Sequence, residues 1–418
     1  MKLLKIALKS AKNRKVGLLL AAFSIALSIM LLLSVDTIRK QGKNSFVNTI
    51  SQTDLVVGAR SGPLNLLLYS VFRIGGATNN VSWKSYQEIA ERPEVAWTIP
   101  ISLGDSHRNF RVMGTNTDYF KYYRYAGGKD LSFTKGKPFD ALYDVVLGKQ
   151  VADKLNYSLG DKITLAHGIV STKFSEHADK PFTVVGILEQ TGTPVDQTVH
   201  VSLEAIEAIH VDWQSGAPSP IKITAEQTLI MALQPKTITA FMLGLENRTA
   251  TFRLQRAINQ YRAEPLLAIL PGATLASLWN TLGNFEKILL AIAFLVLLSG
   301  LLGMLTTLLS TLNERRREIA ILRAVGARAW HIICLFLLEA LIVVGSGCML
   351  GVIASYLLQL IAKPLLVSYY GIHINILPPD LQQWAIIGGA LLLGLLFSLL
   401  PGLIAYRRSL QDGLVLKV

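Results

Sequence analysis

Cysteine is scarce in this sequence, with two cysteines among 418 residues. Cys334 and Cys348 lie in the same long apolar stretch, where fourteen helical residues would separate them by about 21 Å. That separation is several times the reach of a disulfide bond. The sequence therefore excludes a disulfide scaffold within the chain, and the regions outside the apolar stretches must be stabilised by a hydrophobic core.

Motifs for nucleotide binding and for common hydrolytic chemistry are also absent from the sequence. It contains no G-xxxx-GK[ST] phosphate loop, no H-E-xx-H pair and no G-x-S-x-G nucleophile elbow. We therefore predict a chain that is not an enzyme and holds no metal or cofactor of its own. If the protein uses the energy of ATP, the ATP and Mg²⁺ must bind to a partner ATPase.

Long apolar runs are abundant. The composition is 51% hydrophobic, yet the formal net charge is +13, and the two properties are segregated into four apolar runs flanked by basic residues. Each run is long enough to cross about 30 Å of hydrocarbon. The fold class predicted is membrane α-helical, with four transmembrane helices at residues 16–36, 284–312, 329–362 and 384–406.

The flanking charges predict the orientation of the helices. Residues 1–15, 313–328 and 407–418 are rich in Lys and Arg, which places all three in the cytoplasm by the positive-inside rule. The first run could instead be a signal peptide, but no small-residue cleavage site follows it, so we expect an uncleaved anchor. The protein should be a multi-pass protein of the bacterial cytoplasmic (inner) membrane, with residues 37–283 and the short loop 363–383 in the periplasm.

The periplasmic segment 37–283 alternates short β-branched strands with helices, which predicts an α/β (α+β) domain of one or two subdomains. Four helices are expected, at residues 63–74, 149–155, 202–209 and 251–261. The predicted strands are Asp54–Ala59, Phe110–Gly114, Asp144–Gly148, Lys162–Ala166, Phe182–Leu188, Thr198–Val201, Thr228–Leu233 and Leu266–Leu270.

The helix Pro63–Ile74 has an apolar face that permits two interpretations. Such a face most often packs into a domain core. Alternatively, it forms a surface for contact with a substrate or a partner. The residues of this face are Leu64, Leu67, Leu68, Val71 and Phe72.

Within the apolar runs, small and charged residues stand out. Ser24 with Ser28 and Gly347 with Gly351 form small-xxx-small pairs, which favour close helix packing within the chain or in a dimer. Glu339 is an intramembrane charge, and such groups are functional candidates by default. It could pair with an arginine of the 313–328 connector or with a neighbouring helix, or snorkelling and water could suffice, because the residue lies near the interface. We do not expect it to relay protons.

One polar loop of the periplasmic domain contains potential metal ligands. His167, Glu176, His177 and Asp179 are close together in the sequence, and imidazoles with carboxylates can bind zinc. Their spacing matches no zinc motif, so we interpret the segment as a solvated loop.

The connector 313–328 has the features of a short amphipathic helix. Asn313 can cap its start, Glu314 suits its first turn and Gly326 suits its end. Two interpretations remain open on these residues alone. Either a cytoplasmic partner presses on this helix, or Arg315, Arg316 and Arg317 serve only to fix the topology.

The connector also carries a family resemblance. The segment ERRREIAILRAVGA resembles the signature of the FtsX/MacB-type permease family, and its place between the second and third spans matches. FRVMGTNTDYF, DVVLGKQVADKLNYSLGDKITL and FTVVGILEQTGTPVDQTVHVSLEAI resemble the periplasmic core domain of that family. The order of one span, a large domain and three further spans also agrees.

The resemblance implies the permease subunit of an ABC transporter (MacB/LolC-like, type VII) without a fused ATPase domain. Such a permease works as a dimer with a second copy or homologue, on a cytoplasmic ABC ATPase dimer. ATP hydrolysis would drive a periplasmic conformational change, termed mechanotransmission. The implied coupling helix comprises Glu314, Arg315, Arg316, Arg317, Glu318, Ile319, Leu322 and Arg323.

The substrate implied by the family is a lipoprotein, peptide, drug or metal complex. The further partners implied are membrane lipid and a periplasmic adaptor or binding protein, and no nucleic acid is expected to bind. The alternative is an FtsX-like regulator that transports nothing and activates a periplasmic partner such as a cell-wall hydrolase. The sequence alone does not separate the two.

Overall fold

The computed structural model of the protein describes residues 15–168, 179–214, 217–218, 223–310, 312, 319, 321, 325–370 and 376–411. The chain divides into two compact units. The membrane unit comprises the described residues among 1–41, 282–365 and 374–418, and the extramembrane domain comprises those among 42–281 and 366–373.

Four long helices contain the apolar runs, and each is long and apolar enough to cross a membrane. The predicted fold class, with a mixed α/β domain between the first and second of these helices, is confirmed. In chain order, the first to fourth membrane helices are Lys15–Thr49, Pro271–Ser310, Ala329–Tyr370 and Leu381–Gln411.

The membrane helices are longer than the apolar runs from which they were predicted. The first has 35 residues and the second 40. At 1.5 Å per residue these lengths are about 52 and 60 Å, well beyond the ~30 Å of hydrocarbon. The third helix continues without interruption through Gly345, Gly347 and Gly351.

The membrane unit has its own apolar core, formed by residues of all four helices. Ile25 and Ile29 of the first helix lie at its centre together with Leu301 and Phe336, and all four are fully buried. Packing around the first helix therefore organises the bundle.

The extramembrane domain is built on one mixed eleven-stranded sheet. The strands of the domain are β1 (Leu55–Ala59), β2 (Val81–Ser82), β3 (Val95–His107), β4 (Phe110–Thr115), β5 (Arg124–Tyr125), β6 (Lys129–Asp130), β7 (Phe133–Gly136), β8 (Asp144–Leu147), β9 (Lys162–Ile163), β10 (Ala166–His167), β11 (Phe182–Leu188), β12 (Thr198–Ser202), β13 (Trp213–Gln214), β14 (Ala217–Pro218), β15 (Thr237–Ile238), β16 (Ala240–Leu245) and β17 (Leu266–Ile269).

The strand order along the main path of the sheet is β17-β1-β16-β3-β4-β12-β8-β11-β7, while β10 pairs with β3 and β9 with β11. The pairs β4–β12 and β8–β11 are parallel.

Strand β3 connects the two halves of the sheet. Its first part, from Val95 to Ile101, pairs with β16, and its second part, from Ser102 to His107, pairs with β4. The helices of the domain are α1 (Pro63–Ser70), α2 (Trp83–Ala90), α3 (Asp118–Tyr122), α4 (Lys149–Leu155), α5 (Leu203–His210), α6 (Ala225–Thr228) and α7 (Thr251–Asn259), with 3₁₀ turns at Pro194–Gln197 and Arg248–Ala250.

Two strand predictions differ from the structure. The expected strand Thr228–Leu233 is wrong. Helix α6, which a capping box of Thr224 and Gln227 starts, ends at Thr228, and residues 229–233 follow as turn and irregular backbone. The expected strand Lys162–Ala166 is divided into the two short strands β9 and β10, which pair with different neighbours.

Candidate functional site

The first and third membrane helices approach each other at two glycines. A Cβ atom on Gly347 would lie 2.9 Å from the carbonyl oxygen of Ala22, and one on Gly351 would lie 2.7 Å from that of Ala26. Only glycine leaves room for backbones this close. The predicted Gly347–Gly351 pair therefore packs helices within the chain.

The serine pair of the first helix lies at a second close contact. The Ser28 hydroxyl donates to the Ser24 carbonyl at 2.8 Å, and Ser28 is fully buried. A Cβ on Gly300 of the second helix would lie 3.1 Å from the Ser24 Cβ. The first helix is therefore packed closely against the second and the third helices.

A charged network lies at one end of this bundle. Asp36 of the first helix is 4% exposed at its side chain, and the Lys40 Nζ lies 2.8 Å from its Oδ2. The Arg39 Nη2 lies 3.6 Å from the other oxygen of the same carboxylate. These three residues are at i, i+3 and i+4 spacing, so one helical turn holds the whole cluster.

The network extends to two other helices. The Arg39 Nε lies 3.0 Å from Glu286 of the second helix, and the Lys40 Nζ lies 2.5 Å from Asp380. The Gln383 amide, in the fourth helix, donates to the Asp36 carboxylate at 3.1 Å. We name this set of residues, Asp36, Arg39, Lys40, Glu286, Asp380 and Gln383, the polar latch.

Asp380 of the polar latch also caps the fourth membrane helix. Its Oδ1 accepts the backbone N–H of Gln383 at 2.9 Å. The hydrogen bond from Lys40 lowers the pKa of Asp380, so the carboxylate stays charged. The acid-then-base spacing of Asp36, Arg39 and Lys40 at the end of the first apolar run is the local signal of the latch in the sequence, but Glu286, Asp380 and Gln383 are distant from it along the chain.

Glu339 lies fully buried in the third membrane helix, among the apolar core of the bundle. A carboxyl group at this depth is expensive to bury and is retained for a reason. The identity of its partner stays a prediction.

The connector is described at three residues before its terminal glycine. Ile319 is helical and buried in the bundle core, whereas Ile321 is 57% and Val325 84% exposed. The Val325 N–H donates to the Ile321 carbonyl at 3.1 Å, and Gly326 has a φ of +94°, so the turn ends at the glycine as expected. The predicted coupling residues Glu314, Arg315, Arg316, Arg317, Glu318, Leu322 and Arg323 lie outside the described residues, and their role stays a prediction.

The predicted contact face of helix α1 belongs to the domain core. Leu67, Val71 and Phe72 are 0%, 3% and 6% exposed, and only Leu64 reaches the surface, with Leu68 half-buried. The helix packs against strands β1, β16 and β17. The interpretation as a substrate or partner surface is therefore wrong for the buried residues, because the sheet already covers them.

The polar loop considered for zinc is not assembled as a cluster by its described residues. Asp179 is half-exposed and lies 4.0 Å from the Lys180 Nζ. Glu176 and His177 lie outside the described residues. His167 instead contacts Asp105 and His210, two residues that are distant from it in sequence and that no local motif marks.

Four apolar helices, with a mixed α/β domain between the first and second, are the architecture of a multi-pass membrane protein. The family model of the MacB-like periplasmic core domain matches residues 18–258, and that of the FtsX-like permease C-terminal region matches residues 290–412. The chain belongs to the MacB-type family of ABC transporter permeases.

Relatives of this family share low but extended identity with the chain. The macrolide export ATP-binding/permease protein MacB of Wolinella succinogenes is 23% identical over 97% of this chain and 59% of its own length. The pyoverdine export ATP-binding/permease protein PvdT of Pseudomonas savastanoi is 26% identical over 64% of this chain and 39% of its own. The crystal structure of the periplasmic region of MacB from Actinobacillus actinomycetemcomitans covers 56% of this chain and 96% of its own, at 11% identity with a TM-score of 0.34.

The chain thus spans about 59% of the first of these curated relatives and 39% of the second. Both relatives are named as export proteins. The match supports a transporter permease, and the alternative of a regulator that transports nothing is not favoured.

Proposed function

We propose that this chain is the permease subunit of an ABC transporter whose ATPase is a separate cytoplasmic protein. The connector carries the proposal. Of its described residues, Ile319 is buried in the core of the helix bundle, whereas Ile321 and Val325 are exposed. Exposed aliphatic residues next to a basic segment form a surface suited to a protein partner. In this arrangement the connector and both termini are cytoplasmic.

The bundle offers a route for motion of the connector. The third helix begins at Ala329, directly after the connector, and packs closely against the first helix at Gly347 and Gly351. Backbones at such close approach cannot shift independently, because packed interfaces are not continuously deformable. Force on the connector therefore reaches the first helix through these glycines.

The polar latch continues this route. It joins the first helix to Glu286 of the second helix and to Asp380 and Gln383 at the start of the fourth helix. The first and second helices are also longer than the membrane is thick, so both act as stiff levers between the cytoplasmic and periplasmic sides. We propose that this is mechanotransmission: ATP-driven closure of the cytoplasmic side is converted into rearrangement of the periplasmic domain.

The substrate class proposed is a lipoprotein, peptide, drug or metal complex that is moved or extracted at the periplasmic side. The names of the relatives, which export a macrolide and a pyoverdine, support this range. The partners proposed are an ABC ATPase dimer, a second permease copy or homologue, and a periplasmic adaptor or binding protein.

The test is purification of the tagged chain from its native membrane in mild detergent, followed by identification of co-purifying proteins and an ATP hydrolysis assay. We expect a stoichiometric ATPase whose activity depends on the chain. Ile321→Asp and Val325→Asp should lower its recovery at least about tenfold, since a buried interfacial charge costs several kcal/mol.

The matched control is Ile230→Asp, at an exposed isoleucine of the extramembrane domain (89% exposed), which should leave the ATPase bound. Reversal of Arg315, Arg316 and Arg317 to Glu should uncouple hydrolysis from transport, with the topology of the variant checked by cysteine accessibility. If no ATPase co-purifies under several mild conditions, or if the connector variants retain it fully, the connector is only a topology signal.

A further inference from the structure

Three potential metal ligands from distant parts of the chain meet on one side of the extramembrane domain. Asp105 lies on β3 and His167 on β10, and the two residues are direct partners in the antiparallel pairing of these strands. His210 is the last residue of helix α5. Sixty-two residues separate Asp105 from His167, and forty-three separate His167 from His210, so only the fold brings them together.

The three ligand atoms form a nearly equilateral triangle. The His167 Nδ1 lies 3.2 Å from the Asp105 Oδ1 and 3.2 Å from the His210 Nε2. The His210 Nε2 lies 3.3 Å from the same Asp105 oxygen. Ligands about 2.0–2.1 Å from a tetrahedral Zn²⁺ ion are separated by roughly 3.3–3.4 Å. The triangle therefore already has the edge length of one face of a zinc tetrahedron.

The hydrogen bonding of His210 determines which of its ring nitrogens points a lone pair into this triangle. The His210 Nδ1 lies 2.8 Å from the Ile206 carbonyl oxygen, which can only accept, so Nδ1 carries the proton. In the neutral ring the Nε2 then presents its lone pair to the Asp105 carboxylate. Two acceptors at 3.3 Å repel each other unless a proton or a metal cation lies between them. An imidazole that donates its other N–H to a backbone carbonyl is also the usual arrangement of a metal-bound histidine.

The surroundings provide a charged ligand and an open side. Asp105 is 3% exposed at its side chain, while His167 is 50% and His210 25% exposed. Burial raises the pKa of Asp105, but when the two histidines are protonated, their hydrogen bonds and charge outweigh burial and lower it to about 2. The carboxylate is thus ionised, and water can reach the side on which a fourth ligand would bind.

We propose that Asp105, His167 and His210 form a binding site for a divalent transition-metal ion, with Zn²⁺ the best fit and water as the fourth ligand. Two imidazoles and one carboxylate suit zinc, whereas Ca²⁺ and Mg²⁺ prefer all-oxygen ligands. The bound ion crosslinks strand β3, strand β10 and helix α5. Three protein ligands with one open position also allow the ion to accept a donor atom from an incoming ligand or partner.

The test uses the full chain in detergent, purified without a polyhistidine tag and dialysed against a chelator, with Co²⁺ alone and Zn²⁺ alone as probes. We expect one Co²⁺ per chain with the intense visible absorption of tetrahedral coordination, displaced by one equivalent of Zn²⁺. Zn²⁺ should also raise the Tm of the chain, because it binds the folded state.

Removal of one ligand should weaken the affinity for Zn²⁺ by about 100-fold or more and abolish the tetrahedral Co²⁺ spectrum, since loss of a supporting contact alone typically costs roughly 10–100-fold. His167→Gln is the least disruptive variant because its side chain is half-exposed, and His210→Ala and Asp105→Asn complete the set. His331→Ala, in the membrane unit, is the control and should bind as the unchanged chain does.

The proposal is overturned if the unchanged chain binds neither ion stoichiometrically, or if His167→Gln binds both as tightly as His331→Ala does. In that case the three side chains form a hydrogen-bonded cluster held by a proton on His210. Circular dichroism of each variant shows whether a loss of binding reflects a lost ligand or a lost fold.

Discussion

The two units of the chain distribute polarity in opposite ways. In the extramembrane domain, Val57 and Val146 are fully buried. In the membrane unit, Leu295 is 61% and Ile361 65% exposed, while Glu339 is fully buried. In water, burial of apolar surface drives folding, but in lipid the outside is as apolar as the inside. The membrane helices must therefore be held together by close backbone packing and polar contacts, which small residues and the polar latch provide.

The contrast extends to particular glycines in each unit. In the sheet domain, Gly136 combines a positive φ with a close backbone neighbour, whereas Gly160 has the positive φ alone. In the membrane unit, Gly347 and Gly351 determine how close two helices approach. Substitutions at glycines with and without neighbours therefore test the comparison most directly.

The largest effect is expected at Gly136, at the end of strand β7. Its φ is +80°, and a Cβ would lie 2.0 Å from the Val185 carbonyl oxygen. Gly136→Ala should lower the free energy of unfolding of the extramembrane domain by about 4 kcal/mol or more, because strain and a backbone clash add. Chemical denaturation of the full chain, monitored by tryptophan fluorescence, measures this loss.

Gly160 provides the matched control for that substitution. Its φ is +90°, but nothing lies within 4 Å of the position that a Cβ atom would occupy. Gly160→Ala should cost only about 1 kcal/mol, the strain of a positive φ alone. Equal losses at Gly136 and Gly160 would show that the clash with Val185 is relieved without cost.

The second prediction concerns a buried charge in the water-facing unit. Lys180 is fully buried, and its Nζ lies 2.7 Å from the Asp212 Oδ1. Lys180→Met should destabilise the domain by about 3 kcal/mol, since it leaves the Asp212 carboxylate buried without its cation. The exposed pair Lys149–Asp153 is the control, and Lys149→Met should change the stability by less than about 1 kcal/mol. If Lys180→Met lost as little stability as Lys149→Met, water would be solvating the Asp212 carboxylate in place of the ammonium group.

The third prediction addresses packing in the membrane unit. A Cβ on Gly351 would lie 2.7 Å from both the Ala26 carbonyl oxygen and the Ile29 Cβ. Gly351→Val should separate the first and third helices and lower the stability of the unit by about 2 kcal/mol, a typical cost of overpacking. Thermal melting in detergent measures the loss. Gly345→Ala, in the same helix with no neighbour within 4 Å, should leave the melting temperature unchanged or slightly raised.

The sequence predicted those parts of the fold that local chemistry determines. The strand Phe182–Leu188 and the helix Lys149–Leu155 have the expected bounds because β-branched residues and helix formers determine them locally. Strand β3 was missed because Pro100 and Gly104 interrupt its pattern, and β16 was missed because AFMLGL has no alternation. Both lie in the interior of the sheet, where pairing on two sides overrides local preference.

The candidate sites show the same limit. The small-residue pairs of the membrane helices were visible as spacings, but their partners Ala22, Ala26 and Gly300 depend on which helices become neighbours. Asp105 and His210 had no local signature at all, because their proximity to His167 depends on sheet register and on the end of helix α5. Long-range contacts of this kind cannot be inferred from local sequence spacing.

The smallest predicted effect is the pH dependence of stability that His200, a buried histidine of the extramembrane domain, produces. Burial and the charge of Arg73 lower the pKa of His200 to about 3, against a smaller raising effect of the Val146 carbonyl. The unfolded chain, with a pKa near 6.5, then binds a proton that the folded domain excludes. The stability that depends on neutral His200 is therefore fully present above pH 6.5 and is lost as the pH falls towards 3. The loss at pH 5.5 is about 1.4 kcal/mol.

The measurement compares denaturation of the unchanged chain and of His200→Gln at pH 7.5 and pH 5.5, with a chelator present. The variant should lose about 1.4 kcal/mol less between the two values, whatever its stability at pH 7.5. The raised pKa of His210 acts in the opposite sense and is common to both chains, so the difference isolates His200. Asp105, with its pKa of about 2, contributes only below about pH 4. An equal loss in both chains would mean that water reaches His200 when it is protonated, so that the folded domain does not exclude the charge.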